Sequence, residues 1–150
     1  MLASKSNIRK KLLRQVGLSF KVVPSNLNEK KLKVEHANKS LTFLASKLAS
    51  EKAKSISKLY EGAYVIGADQ ICVLKNKPLG KPKNINNAIE QLCSLNGLEH
   101  KQISAFSIYL DGKLVNSFIL AGFYLPVPDT SLYIGNNKDQ YFNGFITRAR

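Results

Sequence analysis

The apolar run from Ala63 to Leu74 constrains this chain most, because a carboxylate interrupts it near its middle. The run is AYVIGADQICVL, and Asp69 and Gln70 are its only strongly polar residues. A nearly continuous apolar run of this length predicts a β-strand covered on both faces. A carboxylate inside such a strand costs several kcal/mol unless a partner or a metal ion compensates its charge.

Asp69 is therefore the first candidate for a functional residue. In a regular strand it shares a face with Gly67, and Gln70 points to the opposite face. Because Gly67 has no side chain, it permits the close approach of a ligand or of another backbone segment. The alternative is a structural aspartate, satisfied by backbone amides or by a lysine.

Lys52 is the second unusual position. A helix predicted over residues 37–59 places Leu44, Leu48 and Ile56 on one stripe, and Lys52 lies on the same stripe. A lysine among core positions either extends its ammonium group to the rim or points into a cleft.

The segment from Ser4 to Lys10 is a candidate anion site. Ser6 or Asn7 caps a helix predicted to end at Gly17, and Arg9 and Lys10 lie in its first turn. Helix N-termini present unpaired N–H groups to phosphate, and nearby hydroxyls and cations strengthen such a site. The alternative is an ordinary serine-rich cap.

Two further positions carry charges that chemistry could use. Lys81, in Gly80-Lys81-Pro82, follows the turn after the Asp69 strand and lies either near the end of that strand or on an exposed turn. Glu29 is one acid in a strongly basic stretch and is either a metal ligand or a salt-bridge partner.

Strands and helices alternate along the chain, so the predicted fold class is α/β in one domain. Besides the segments above, we predict a strand over 18–23, a loop over 25–33, a helix from Asn84 to about Gly97, and a hairpin of strands 103–110 and 114–120 around Asp111-Gly112. Cys72 and Cys93 have no metal-ligand spacing and are expected to be reduced core residues.

Charge is unevenly distributed along the 150 residues. The net charge is +13, and residues 1–60 hold 14 basic against three acidic residues. An anionic partner should meet this part of the chain, unless the lysines only cover solvated helix faces. The chain has no tryptophan, and its basic region is not interleaved with aromatic residues, so nucleic acid is an unlikely partner. No apolar run is long enough to span a membrane, and the start of the chain has no signal-peptide core, so we expect a cytoplasmic protein.

Five motifs in order resemble the Maf-type nucleoside triphosphate pyrophosphatases. They are Leu2-Ala3-Ser4-Lys5-Ser6 with Arg9-Lys10, Asn28-Glu29, Glu51-Lys52-Ala53-Lys54, Val65-Ile66-Gly67-Ala68-Asp69-Gln70, and Gly80-Lys81-Pro82 with the helix before His100. The resemblance covers about residues 1–118.

The resemblance implies a mixed, twisted sheet with flanking helices around a nucleotide-binding cleft. It also implies hydrolysis of a nucleoside triphosphate, with modified and non-standard nucleotides among the candidates, to a monophosphate and pyrophosphate. Asp69 would be the proton acceptor, and Glu29 and Asp69 would hold a divalent cation, Mg²⁺ or Mn²⁺. The substrate-binding residues would be Ser4, Ser6, Ile8, Arg9, Lys10, Lys52, Gln70 and Lys81, with Ile8 and Gln70 at positions that affect base specificity. A homodimer is consistent with the same resemblance.

Residues 119–150 depart from the family pattern. They lack the glycine-rich segment and the Gly-Leu-Pro stretch with which the family continues, which indicates a truncated, frameshifted or diverged end. The alternative function is accordingly an inactive relative, or a basic module that binds nucleotides or nucleic acid.

Overall fold

The computed structural model describes residues 1–124, with side chains through residue 122. Four helices and four strands make up the described chain, so its fold mixes α and β structure as predicted. In order they are α1 (Asn7–Gln15), α2 (Glu29–Glu35), α3 (Leu41–Ser57), β1 (Val65–Leu74), β2 (Lys77–Leu79), α4 (Ile85–Leu95), β3 (His100–Leu110) and β4 (Lys113–Tyr124).

The four strands form one antiparallel sheet in the order β2-β1-β3-β4. Two tight turns produce its hairpins. Lys75 and Asn76, between β1 and β2, have φ of 48° and 64°, and Asp111 and Gly112, between β3 and β4, have φ of 48° and 74°. Two successive residues with positive φ match the right-handed twist of the paired strands. The predicted Asp-Gly hairpin is confirmed, and β4 runs farther than predicted, to Tyr124.

The chain divides into two compact units, and the boundary falls within β1. Among the described residues, the first unit comprises residues 1–71 and 103–121, and the second comprises residues 72–102 and 122–124.

The core of the first unit lies between α3 and the strands. Leu44, Leu48, Lys52 and Ile56 are all buried, so the predicted stripe on α3 is confirmed. Alanines at positions 45, 49 and 53 form a second row, and each has no exposed surface. Small residues repeated every four positions let a helix approach a neighbouring backbone closely.

Gly67 allows that close approach. A Cβ atom built at Gly67 would lie 2.1 Å from the Ala49 carbonyl oxygen and 2.7 Å from the Ala53 amide nitrogen. Of the two predicted neighbours of Gly67, a ligand or a backbone, the structure has the backbone of α3. The contact fixes the distance between the α3 backbone and the β1 backbone.

The start of the chain is held between two other segments of the first unit. Leu2 forms parallel bridges to Val22 and to Ile66, and the Ala3 amide donates to the Ile66 carbonyl at 2.8 Å. Leu2 and Ala3 are 1% exposed. Because these two residues are fixed in the core, the next residue, Ser4, has a defined position beside β1.

Three predicted boundaries were wrong. Residues 18–23 form a single bridge at Val22 and no regular strand. Their partner is the start of the chain, where only Leu2 forms a bridge to them before α1 begins. The loop predicted over 25–33 contains the first turns of α2, which Asn28 caps. The long helix begins at Leu41 rather than residue 37, because the Ser40 hydroxyl accepts the Phe43 amide at 3.1 Å and caps it there.

In the second unit the cysteine prediction was wrong for Cys93. Both cysteines are free thiols, as expected, but Cys93 is exposed and Cys72 is half-buried. Helix α4 begins after the predicted cap Asn84, whose side chain accepts the Asn87 amide at 2.8 Å, and it has no buried residue. The apolar pattern located this helix correctly, whereas Ile85, Ile89 and Leu92 remain exposed.

Residues 125–150, which make up most of the atypical end predicted over 119–150, lie outside the described residues, and that prediction stays a prediction. None of the helices between residues 1 and 124 is long and apolar enough to cross a membrane.

Candidate functional site

Lys52 joins the two predicted acidic site residues. Its ammonium nitrogen lies 2.7 Å from Asp69 Oδ1 and 2.9 Å from Glu29 Oε1. The Lys52 side chain is 8% exposed and that of Asp69 is 12% exposed, whereas Glu29 is 44% exposed. Lys52 therefore does not extend to the solvent rim. The acid in the apolar strand has a lysine partner, which was one of the two predictions for it.

Each of these three side chains is positioned by a feature of its own element. Asp69 follows Gly67 on β1, and Lys52 lies on the buried stripe of α3, so the Gly67 contact fixes the distance between their backbones. Glu29 is the first residue of α2, whose N-cap Asn28 accepts the Lys31 amide at 3.0 Å. The Asn28 side chain is thus used as a helix cap.

The predicted phosphate segment also folds as a helix start. The Ser6 hydroxyl caps α1 by accepting the Arg9 amide at 3.4 Å. The buried Ser4 hydroxyl accepts Arg9 Nη1 at 3.3 Å and the Ser6 amide at 3.2 Å. Ser4 therefore connects the fixed start of the chain to the guanidinium group of Arg9.

Arg9 lies in the electric field of the two carboxylates. Burial lowers the pKa of Arg9 from its ordinary value, and the negative charges of Asp69 and Glu29 act in the opposite direction. Arginine stays protonated at neutral pH even when its pKa falls moderately. The site therefore combines two carboxylates with two cations, Arg9 and Lys52, so that its formal charges balance.

The donor set fits a hard divalent cation that is shared with phosphate. Glu29 and Asp69 direct one oxygen each at a single cationic group, and Mg²⁺ in nucleotide-dependent enzymes takes one or two carboxylates together with substrate phosphates. Within residues 1–124, no group of three His, Cys, Asp or Glu side chains is placed to hold a metal by itself. A cation held by these two carboxylates would complete its coordination with water or phosphate oxygens.

The hydrogen bonds and ion pairs described above do not include the other predicted substrate residues. Ile8 is 72% exposed on α1, and Lys10 donates to Asn7 Oδ1 at 3.2 Å on the same helix. Gln70 is exposed on β1, next to Asp69. Lys81 is exposed in the second unit, after β2. The predicted roles of these four residues stay predictions.

Two determinants of the site were missed in the sequence. Glu29 was assigned to a loop, although Asn28 followed by an acid in the first turn is a typical helix start. The small residues Ala49 and Ala53 were overlooked, although alanines four positions apart on a buried helix indicate close packing.

Known proteins match this chain over the part that contains the site. A sequence profile described as Maf-like protein matches residues 1–120. A nucleoside triphosphate pyrophosphatase of Legionella pneumophila (strain Paris) is 42% identical over 115 residues, which cover 77% of this chain and 58% of the relative. A 7-methyl-GTP pyrophosphatase of Colwellia psychrerythraea is 34% identical over 148 residues, which cover 95% of this chain and 71% of the relative. A dTTP/UTP pyrophosphatase of a Geobacter species is 36% identical over 109 residues, which cover 73% of this chain and 54% of the relative.

The matched part of the chain spans little more than half the length of the Legionella relative, whereas the Colwellia match extends well beyond residue 118. The profile match, at 120 of 150 residues, includes every predicted site residue from Ser4 to Lys81. The chain belongs to the Maf-like protein family.

Proposed function

We propose that this protein hydrolyses a nucleoside triphosphate to the monophosphate and pyrophosphate, using a divalent cation. The observation that carries the proposal is the arrangement of Lys52 between Glu29 and Asp69 with Arg9 beside them. The names of the Legionella, Colwellia and Geobacter relatives support it, since each describes a pyrophosphatase that acts on nucleotides.

Asp69 is proposed as the proton acceptor. The Lys52 ammonium group donates a hydrogen bond to Oδ1 of this carboxylate. The other oxygen, Oδ2, would accept the proton from water. The water oxygen then bonds to phosphorus, the phosphoanhydride bond between the α- and β-phosphates breaks, and pyrophosphate leaves. Because Asp69 lies on a buried strand, its carboxylate is held still while the proton moves.

Arg9 and Lys52 are proposed to neutralise the polyphosphate. Phosphoryl transfer depends mainly on charge neutralisation and alignment, and these two groups supply fixed positive charge beside the proposed base. The Ser4 hydroxyl keeps Arg9 in place through its 3.3 Å contact with Nη1. A divalent cation, Mg²⁺ or Mn²⁺, bound by Glu29 and Asp69 would polarise a phosphate oxygen and lower the pKa of a bound water.

Base specificity is proposed to depend on residues outside the charged cluster. Relatives of similar identity, 34% and 36%, have names that specify different bases, 7-methyl-GTP and dTTP/UTP. Overall similarity therefore does not assign a base. Ile8 and Gln70 keep their proposed role at the base, and Ser6, Lys10 and Lys81 keep theirs at the phosphates.

The test is product analysis with a panel of nucleoside triphosphates that includes standard and 7-methylated purines. We expect equal amounts of monophosphate and pyrophosphate in the presence of Mg²⁺ or Mn²⁺, and no turnover in EDTA. Release of orthophosphate, or an unchanged rate in EDTA, would contradict the proposal. Salt-dependent binding of RNA or DNA without any hydrolysis would support the binding-module alternative instead. A cytoplasmic location and a homodimer stay predictions.

A further inference from the structure

Lys52 occupies the place between the two carboxylates where the proposed divalent cation would be held. Its ammonium group contacts Glu29 Oε1 and Asp69 Oδ1 at 2.9 Å and 2.7 Å. An ammonium group is a compact point charge with three donors, and it satisfies hard carboxylate oxygens much as a small cation does. The Lys52–Asp69 pair has both side chains nearly buried, unlike the other salt bridges among the described residues.

The charge balance of the site makes the two cations competitors. With Glu29 and Asp69 ionised and Lys52 and Arg9 protonated, the cluster is formally neutral. A divalent ion added to a neutral cluster gains little net attraction, because repulsion by the two nearby cations offsets the attraction of the two carboxylates. A bound triphosphate changes the balance, because it supplies several negative charges to Lys52 and Arg9.

We infer that Lys52 is a resident counter-ion for Glu29 and Asp69, which keeps divalent cations out until a triphosphate draws its ammonium group away. This inference rests on the proposed function, since it assumes that the cation and the triphosphate share the site. It extends that function by making Lys52 the residue that couples binding of the cation to binding of the nucleotide.

The packing of α3 is compatible with such an exchange of partners. The backbone of α3 is fixed against β1 at Gly67, where Ala49 and Ala53 leave no space for a further atom. The helix therefore need not move. The four-carbon stem of Lys52 allows its ammonium group to change partners by rotation about side-chain bonds alone.

The experiment is a titration of the whole protein with Mn²⁺ in the absence of nucleotide, following free Mn²⁺ by electron paramagnetic resonance. We expect weak binding by the wild type and at least tenfold tighter binding by Lys52→Met, because both carboxylates then lack their resident cation. Lys47→Met is the matched control: Lys47 pairs with Glu51 on the same helix, at 2.9 Å, and its loss should leave Mn²⁺ affinity unchanged. Equal or weaker Mn²⁺ binding by Lys52→Met would overturn the inference.

A charge-conserving variant and a wild-type measurement complete the test if Lys52→Met does not fold, which circular dichroism would show. Lys52→Arg should bind Mn²⁺ as weakly as the wild type, since it keeps a cation between the carboxylates. In the wild type, a non-hydrolysable triphosphate analogue should raise Mn²⁺ affinity at least tenfold, after subtraction of the Mn²⁺ that the analogue binds without protein. By linkage, Mn²⁺ should raise the affinity of the protein for the analogue by the same factor. Absence of this coupling would overturn the inference. These readouts do not use turnover, whereas the product analysis in EDTA tests the proposed function, so the two can fail separately.

Discussion

The Lys52 ammonium group lies 2.7 Å from Oδ1 of Asp69, and the two residues are separated by 17 positions in the chain. Both side chains are nearly buried, at 8% and 12% exposed. A buried ion pair of this kind is costly to form, because both groups lose water, and it is more costly to break, because an unpaired charge is left behind. The pair by itself therefore adds little net stability, although removing either partner should be costly.

The first prediction concerns the free energy of unfolding without metal. Lys52→Met removes the partner of a buried carboxylate, and we expect a loss of about 3–5 kcal/mol in urea titrations with EDTA present. Lys47→Met breaks a more exposed pair and should cost less than about 1 kcal/mol. Equally small losses of unfolding free energy in both variants would contradict the expectation that Lys52→Met leaves a buried, unpaired carboxylate.

The second prediction concerns the contact of α3 with β1. A methyl group at Gly67 would lie 2.1 Å from the Ala49 carbonyl oxygen, a backbone atom that cannot rotate away. We expect Gly67→Ala to destabilise the protein by about 3 kcal/mol or more and to reduce nucleotide hydrolysis, since Lys52 moves with α3. Gly80→Ala is the control, because nothing lies within 4 Å of its added Cβ, and it should be nearly neutral. A stable, active Gly67→Ala protein would contradict the described packing.

The third prediction concerns the cap of α1. The Ser6 hydroxyl accepts the Arg9 amide, so Ser6→Ala should cost about 1 kcal/mol in thermal or urea unfolding. Ser19→Ala changes an exposed serine outside any helix and should have little effect. If the two variants lose equal stability, Ser6 does not act as the N-cap.

The fourth prediction concerns the two thiols of the second unit. Burial raises the pKa of Cys72, partly offset by a side-chain hydrogen bond with Gln102. A higher pKa leaves a smaller thiolate fraction at pH 8, and the thiolate is the reactive form. Cys93 is exposed.

Single-cysteine variants separate the two thiols. At pH 8, Cys72→Ser, which retains Cys93, should react with a disulfide reagent faster than Cys93→Ser, which retains Cys72. The rate of Cys93→Ser should rise as the pH increases above 8, because more of the Cys72 thiol is then ionised. Equal rates for the two variants at pH 8 would contradict the described burial of Cys72.

Local patterns in the sequence were sufficient to predict much of this fold. The helix cap at Ser6 or Asn7, the buried stripe through Lys52 and the Asp111-Gly112 turn are each determined by residues a few positions apart. Each was confirmed, with Ser6 as the cap. The strand predicted over 18–23 was wrong, because a strand also needs a partner of matching length and Leu2 supplies only one bridge.

For the site, too, local patterns identified single residues but not the contacts between distant segments. Sequence patterns selected Asp69, Lys52 and Glu29 one at a time, but the bridging position of Lys52 depends on three elements packed together. The close approach of Ala49 to Gly67 is a contact between distant segments, which no local period encodes. The exposure of Cys93 was missed because an apolar helix face predicts burial only when some other element covers it.

The proposed role of Asp69 as proton acceptor can be measured by the single-turnover release of pyrophosphate from the best substrate in the panel. Asp69→Asn keeps the size of the side chain and removes its basicity, so we expect a rate at least a hundredfold below that of the wild type. Asp111→Asn is the matched control, because Asp111 accepts the Gly62 amide at the β3–β4 turn, and its rate should stay near the wild-type value. An Asp69→Asn protein that releases pyrophosphate at the wild-type rate would contradict the account.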